Sequence, residues 1–166
     1  HRLDKDSEGL MIIAKNNEAY TFIQDQFKKR LVEKKYYAVV KGDIKEDELD
    51  LSFPLARHER NRTKRCVVQA NNLNGKEAIT KIKVLKRFLT KTLVEVTPKT
   101  GRTHQIRVHL SHIKHPILGD PLYMDKPTKN NTGQLLQAFF LEFTHPKTKK
   151  RLSFEIPISS RLGVKH

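Results

Sequence analysis

A mixed α+β domain, built on a largely antiparallel sheet with flanking helices, is the architecture that this sequence predicts. Three features carry that expectation. Several runs alternate apolar and polar residues with the period of a strand, few stretches have helical spacing, and neither an internal repeat nor a Pro/Gly/Ser-rich linker divides the 166 residues. A chain of this length can bury one real core, so a single domain spanning 1–166 is expected.

The chain opens HRLDKDSEGLMIIAK, a charged decapeptide running straight into an apolar stretch. In NNEAYTFIQDQFKKRLVEK, Ala19, Phe22, Ile23 and Phe27 recur at helical spacing behind an Asn cap, which predicts an amphipathic helix. KKYYAVVKG reads as a strand ended by Gly42, with Tyr36, Ala38 and Val40 on one face and Tyr37, Val39 and Lys41 on the other. Further strands are expected in KEAITKIKVL, KTLVEVTP, LLQAFFLEFTHP and RLSFEIPIS. In the last of these Leu152, Phe154, Ile156 and Ile158 alternate, and Pro146 and Lys147 fall in the turn before it. In KTGRTHQIRVHLSHIKHPILGDPLY, Thr103 can cap a helix whose apolar stripe is Ile106, Leu110 and Ile113. His104, Arg107 and Ser111 share the opposite face, so Arg107 lies beside the core without having to enter it. Gly101 before this helix and Gly119-Asp120-Pro121 after it are turn signals.

Charge narrows the partner. With 33 Lys+Arg against 18 Asp+Glu, the net charge is +15, and the basic residues are spread along the whole chain. An excess this large points to a polyanion, above all nucleic acid, over lysine serving only as a solubilising surface residue. The basic segment RHERNRTKRC is a candidate nucleic-acid-facing loop before a strand that starts near Cys66; its plainer reading is a solvated loop. One cysteine, Cys66, rules out an intrachain disulfide and a CxxC zinc knuckle, so the fold must rest on its core in a reducing compartment, and the cytoplasm is expected. No apolar run approaches the roughly 20 residues of a membrane helix. His104, His109, His112 and His115 invite a metal reading, but they point in several directions around a helix, so surface or RNA-facing histidines are expected and no metal is.

Three blocks, HRLDKDSEGL, KKYYAVVKG and TGRTHQIRVHLSHIKHPILGDPLY, taken in that order, resemble the motifs of the RluA-class pseudouridine synthases, which act on large-subunit ribosomal and transfer RNA. The tail LLQAFFLEFTHPKTKKRLSFEIP is similar to that family's closing hairpin, and the long third block is the most specific part of the match. The resemblance implies an enzyme that isomerises uridine to pseudouridine in structured RNA with a flipped-out uridine, without metal or organic cofactor. It identifies Asp4 with the family's catalytic aspartate, with His1, Arg2 and Leu3 completing the motif. On its own, Asp4 would read as a turn-forming residue. Tyr36 matches the tyrosine of K-x-Y-x-A, since Lys34, Ala38 and Gly42 fall into step; the alternative is a core aromatic with a satisfied hydroxyl. Arg107 resembles the arginine that pairs with the carboxylate, keeping it ionised and oriented. RNA contacts are expected from Arg2, Arg57, Arg60, Arg62, Lys64, Arg65, Arg102 and His104.

Four positions depart from the family pattern: Glu8 replaces Ser, Lys114 replaces Gly, Met124 replaces Gly and Gln137 replaces His. The resemblance also places HRLD inside a catalytic domain, after strands of the sheet and a Lys-Pro loop. The chain is therefore expected to be an N-terminally truncated fragment, lacking also any S4-type RNA-binding domain, with unpaired strand edges and reduced activity of its own. The full-length protein is expected to be a monomer. Two rivals come from other classes: a non-catalytic RNA-binding protein that retains the fold, and a His-dependent metallonuclease. An intact Asp4, Tyr36 and Arg107 favours the isomerase.

Overall fold

The computed structural model describes residues 1–125 and 133–164. Its strands are β1 (Glu8–Gly9), β2 (Glu33–Lys41), β3 (Glu48–Ser52), β4 (Leu55–Arg57), β5 (Arg65–Val67), β6 (Ile79–Arg87), β7 (Lys91–Pro98), β8 (Leu136–Thr144) and β9 (Arg151–Glu155). Its helices are α1 (Asn17–Lys28) and α2 (Gln105–His112). Seven strands form one sheet in the order β1-β8-β2-β7-β6-β3, with β9 also on β8, and β4 pairs with β5 in a separate hairpin. Every pairing in the large sheet is antiparallel except β1 with β8. The mixed, largely antiparallel α+β architecture is the one the alternation predicted.

Strand β2 is central because its residues can face apolar neighbours on both sides. Tyr36, Ala38 and Val40 join Val94, Val96, Ile106 and Leu110 in the main core. On the other face Val39 packs with Leu93 and Leu162, while Tyr37 stacks on Phe139 at 3.7 Å. The predicted division of faces therefore holds. Helix α1 is capped by the Asn16 side chain, which accepts from Ala19 N–H at 2.8 Å. It stops at Lys28, shorter than the helical pattern suggested, and buries Ile23 and Gln26. Gln26 fastens it to the sheet: its amide donates to Thr144 O at 2.9 Å and its carbonyl accepts from Thr144 N–H at 2.7 Å.

Helix α2 is wedged between two layers. Ile106 and Leu110 face the main core, while Val108 packs with Leu55 and Ala78 against the β4–β5 hairpin. Burial on both sides overturns two expectations. Arg107 is inside, 3% exposed, because the face opposite the apolar stripe is covered too. His109, expected at the surface, is fully buried, with Nε2 against Phe53 O and Nδ1 against Thr80 Oγ1, both at 2.9 Å. Thr103 does not cap this helix: His104 stands at the N-cap with left-handed backbone (φ 57) and no side-chain cap bond. Gln105 organises the entry instead, its carbonyl accepting from Arg102 N–H at 3.0 Å and Thr100 Oγ1 at 2.7 Å.

The alternation in 152–158 does not mark a buried face either. Phe154 is 46% exposed, β9 ends at Glu155, and Ile158 packs beyond the strand beside Val39. Two departures from the family pattern have visible consequences. Lys114 has φ 68, a left-handed conformation that glycine takes without steric cost and lysine does not. Glu8 carries a buried oxygen, Oε1, without a hydrogen-bond partner among the described residues.

Candidate active site

Three separate parts of the fold bring Asp4, Tyr36 and Arg107 together. Asp4 begins a tight turn closed by Ser7 N–H on Asp4 O at 3.0 Å. The turn is held from β8's approach: the buried Gln134 amide donates to Lys5 O and to Ser7 Oγ, and Arg161 Nη1 donates to Asp6 O at 2.8 Å. Beyond the turn, β1 lies so close to β8 that a Cβ on Gly9 (φ 117) would sit 2.1 Å from Ala138 O. Leu3 packs against the main core, and the Asp4 side chain next to it is 19% exposed.

Arg107 is shared by two carboxylates. Its Nε donates to Asp120 Oδ2 at 2.7 Å and its Nη2 to Asp120 Oδ1 at 2.9 Å, which leaves Nη1 for Asp4 Oδ2 at 3.2 Å. Burial opposes the charge on Arg107, but the two carboxylates outweigh it and raise its pKa above the ordinary arginine value. Asp120 is itself fully buried and takes two backbone donors, Leu122 N–H at 2.9 Å and Tyr123 N–H at 3.1 Å. Together these bonds satisfy a carboxylate that is sealed from water. The preceding Gly119 (φ 78) makes this possible, since a Cβ there would lie 2.2 Å from Gly133 O.

Tyr123 gathers the whole outer face of α2. The Arg107 guanidinium lies 5.2 Å from its ring centroid, its hydroxyl pairs with His104 Nδ1 at 2.8 Å, and its carbonyl accepts from Ser111 Oγ at 3.1 Å. The hydroxyl also accepts Arg65 N–H at 2.8 Å, tying the β4–β5 hairpin to the site. Burial pushes the Tyr123 hydroxyl up to about 12. Burial, and then the adjacent Arg107 charge, lower the pKa of His104. The face predicted as His104, Arg107 and Ser111 is real, but it meets a tyrosine that the turn signal alone did not single out.

Tyr36 is 9% exposed, and burial, followed by the negative charge of Asp4, pushes its hydroxyl up to about 12. The group therefore stays a neutral proton donor at neutral pH. Asp4 and Tyr36 line a cleft of about 760 Å³, whose walls include Arg2, Lys28, Arg30, Lys34, Lys99 and Arg102. Asp4 is the one acidic residue among the described residues that line it. Burial lowers the pKa of Lys34, whose ammonium lies 5.5 Å from the Phe27 ring centroid. A second groove of about 560 Å³ adjoins the cleft at Gly101–Thr103 and carries Arg57, Arg65, Lys76 and Arg102.

Of the residues expected to meet RNA, Arg2 and Arg102 line the cleft, and Arg57 and Arg65 line the second groove, in strands β4 and β5. Arg60 and Arg62 are exposed in the turn between those strands, with Lys64 half-buried beside them. His104 is half-buried and engaged with Tyr123. Among the described residues no group of three or more His, Cys, Asp or Glu is arranged to hold a metal ion. No helix among them is long and apolar enough to cross a membrane.

A family model described as RNA pseudouridylate synthase matches residues 1–112. The chain is 42% identical over 158 residues to the uncharacterized RNA pseudouridine synthase YlyB of Bacillus subtilis, covering 95% of this chain and 51% of that protein. It is 41% identical over 172 residues to the ribosomal large subunit pseudouridine synthase D of Nitrosomonas europaea, covering 99% and 48%. The chain thus spans about half the length of these curated relatives. Among solved structures, human RNA pseudouridylate synthase domain containing 1 superimposes with a TM-score of 0.84 at 29% identity, over 98% of this chain and 70% of that one.

Proposed function

The chain belongs to the RNA pseudouridylate synthase family, and from that premise we propose that it isomerises uridine to pseudouridine within structured ribosomal or transfer RNA, with Asp4 as the acting carboxylate. The observation that carries this reading is one carboxylate, paired with a buried arginine, in a cleft whose other charged side chains are all basic. Such a cleft suits a nucleotide: phosphates meet the lysines and arginines, and the base is drawn in toward Asp4 and Tyr36. A uridine paired or stacked in RNA must first be flipped out, and the phosphate contacts offset that cost.

The net reaction breaks the bond between uracil N1 and sugar C1′, joins C1′ to uracil C5, releases the C5 proton and returns a proton to N1. Atoms and electrons balance, so the reaction calls for no oxidant or reductant. Asp4 supplies the charged oxygen that adds to the ring or assists at the sugar. Arg107 pairs with that oxygen and aims it, with Asp120 positioning Arg107 in turn. The neutral Tyr36 hydroxyl is suited to passing a proton at the ring. Arg2, Arg57, Arg60, Arg62, Lys64, Arg65 and Arg102 supply phosphate contacts in this reading, and His104 steadies the site through Tyr123.

The test follows from the balance. RNA labelled with tritium at uracil C5 releases label to water in proportion to turnover. Asp4→Asn, close in shape but without the charge, is expected to abolish release while binding RNA within about twofold of the unaltered protein. Sustained release by the Asn variant would sink the assignment.

A further inference from the structure

Arg30 was not among the basic residues that the sequence singled out, yet its geometry is unusual on two counts. Directly after the Lys29 C-cap of α1, it has φ 59, a conformation that glycine takes without steric cost and arginine does not. The backbone is pinned there by Arg30 N–H on Phe27 O at 3.2 Å and Leu31 N–H on Gln26 O at 2.9 Å. A non-glycine residue held in this region is a reason to ask what its side chain does. The guanidinium leaves the α1 wall of the cleft and crosses to the segment before β6, where Nη2 meets Glu77 Oε2 at 2.7 Å. Arg102, from the facing wall, donates Nε to the carbonyl of the same Glu77 at 2.9 Å. Both arginines line the cleft.

The Arg30–Glu77 pair is weakly held. Its side chains are 53% and 56% exposed, a setting in which an ion pair contributes little and salt screens it. We propose that Arg30 and Arg102 form a subsite for an RNA phosphodiester at the rim of the cleft, and that the Glu77 carboxylate occupies its Arg30 side until a phosphate displaces it. A phosphodiester matches the planar fork of a guanidinium as well as a carboxylate does. RNA also brings neighbouring phosphates onto Lys28 and Lys99, which Glu77 cannot. The subsite rests on the RNA-modifying reading above, adding to it the place where the backbone beside the target nucleotide is gripped.

The test is the binding of a fluorescently labelled uridine-containing stem-loop RNA by the protein and three variants across a salt titration. Arg30→Gly removes the guanidinium and relieves the backbone, so its melting temperature is expected to hold or rise. Its RNA affinity is expected to fall about five- to tenfold, and the slope of log affinity against log salt to flatten by about 0.7–0.9. Glu77→Gln should tighten binding about two- to fivefold, and that gain should vanish in the double variant. Unchanged affinity or slope in Arg30→Gly, a Glu77→Gln that binds no tighter, or a gain that survives without Arg30 would each overturn the subsite. Tritium release measured on the same preparations keeps the two readings apart: RNA bound but never isomerised counts against the isomerase, while the variant series judges the subsite by itself.

Discussion

Arg107 and Asp120 form a side-on pair with two hydrogen bonds, 2.7 and 2.9 Å long, and both side chains are sealed from water. Asp4 holds the same arginine by one longer bond, 3.2 Å, at the edge of solvent. The buried pair therefore fixes the guanidinium, and Asp4, half-buried at the cleft, is the less tightly held partner.

Removing Asp120 should be the more damaging of the two carboxylate losses to the fold. Asp120→Ala leaves a buried guanidinium with only the single longer bond to Asp4 and two unanswered backbone donors, a change expected to cost about 3–5 kcal/mol. Asp4→Ala, on the solvent side, should cost no more than about 1 kcal/mol. Urea denaturation of both variants measures the difference, and equal losses would show that the pairing is not the anchor.

Tyr36 and Tyr37 make a controlled pair, adjacent in sequence on opposite faces of β2. Tyr36→Phe should preserve RNA affinity and lower single-turnover rates by about 10²–10⁴-fold, as expected for losing a proton donor. Tyr37→Phe keeps its stacking on Phe139 and should change little. Comparable rates for the two would reduce Tyr36 to a packing residue.

His109 should make the fold sensitive to acid. Burial lowers its pKa below the ordinary 6.5, so the folded state binds its proton less readily than the unfolded chain. Stability from the neutral ring is full above 6.5 and is lost as pH falls below that value toward the lowered pKa. Between about pH 7.5 and 5, denaturation midpoints should drop more for the unaltered protein than for His109→Gln. Parallel pH profiles would mean that another group governs acid unfolding.

The excess of 15 positive charges should appear as a steep salt dependence of RNA binding. A log–log slope of several units is expected, since each phosphate neutralised releases counterions. A flat profile would remove the case for phosphate contacts along the cleft and groove.

Much of this was legible in the sequence because periodicity reports burial. The faces of β2, the span of β7 and the Asn16 cap all follow from local pattern. What stayed hidden depends on partners distant in sequence. Strand β3 reads Glu-Leu-Asp-Leu-Ser, whose acidic residues disfavour a strand until Lys81 and Lys83 of β6 lie across from them. Arg107 looked peripheral because nothing local announces that the hairpin covers the far side of α2. Asp120 read only as a turn residue, since its role exists only once the chain folds back to bring it to Arg107, 13 positions earlier.

The turn bearing Asp4 is clamped by Gln134 and Arg161, and its arginine partner stands 103 residues further along the chain. Contacts this distant in sequence form slowly, because the loop between them must be closed before any contact rewards the closure. During synthesis residues 4–9 are made before 134–161 and stay without a place until those have been added. The Asp4 turn and its clamp are then assembled in one late step, and a chain that has not completed β8 has the residues of the turn without the contacts that hold it.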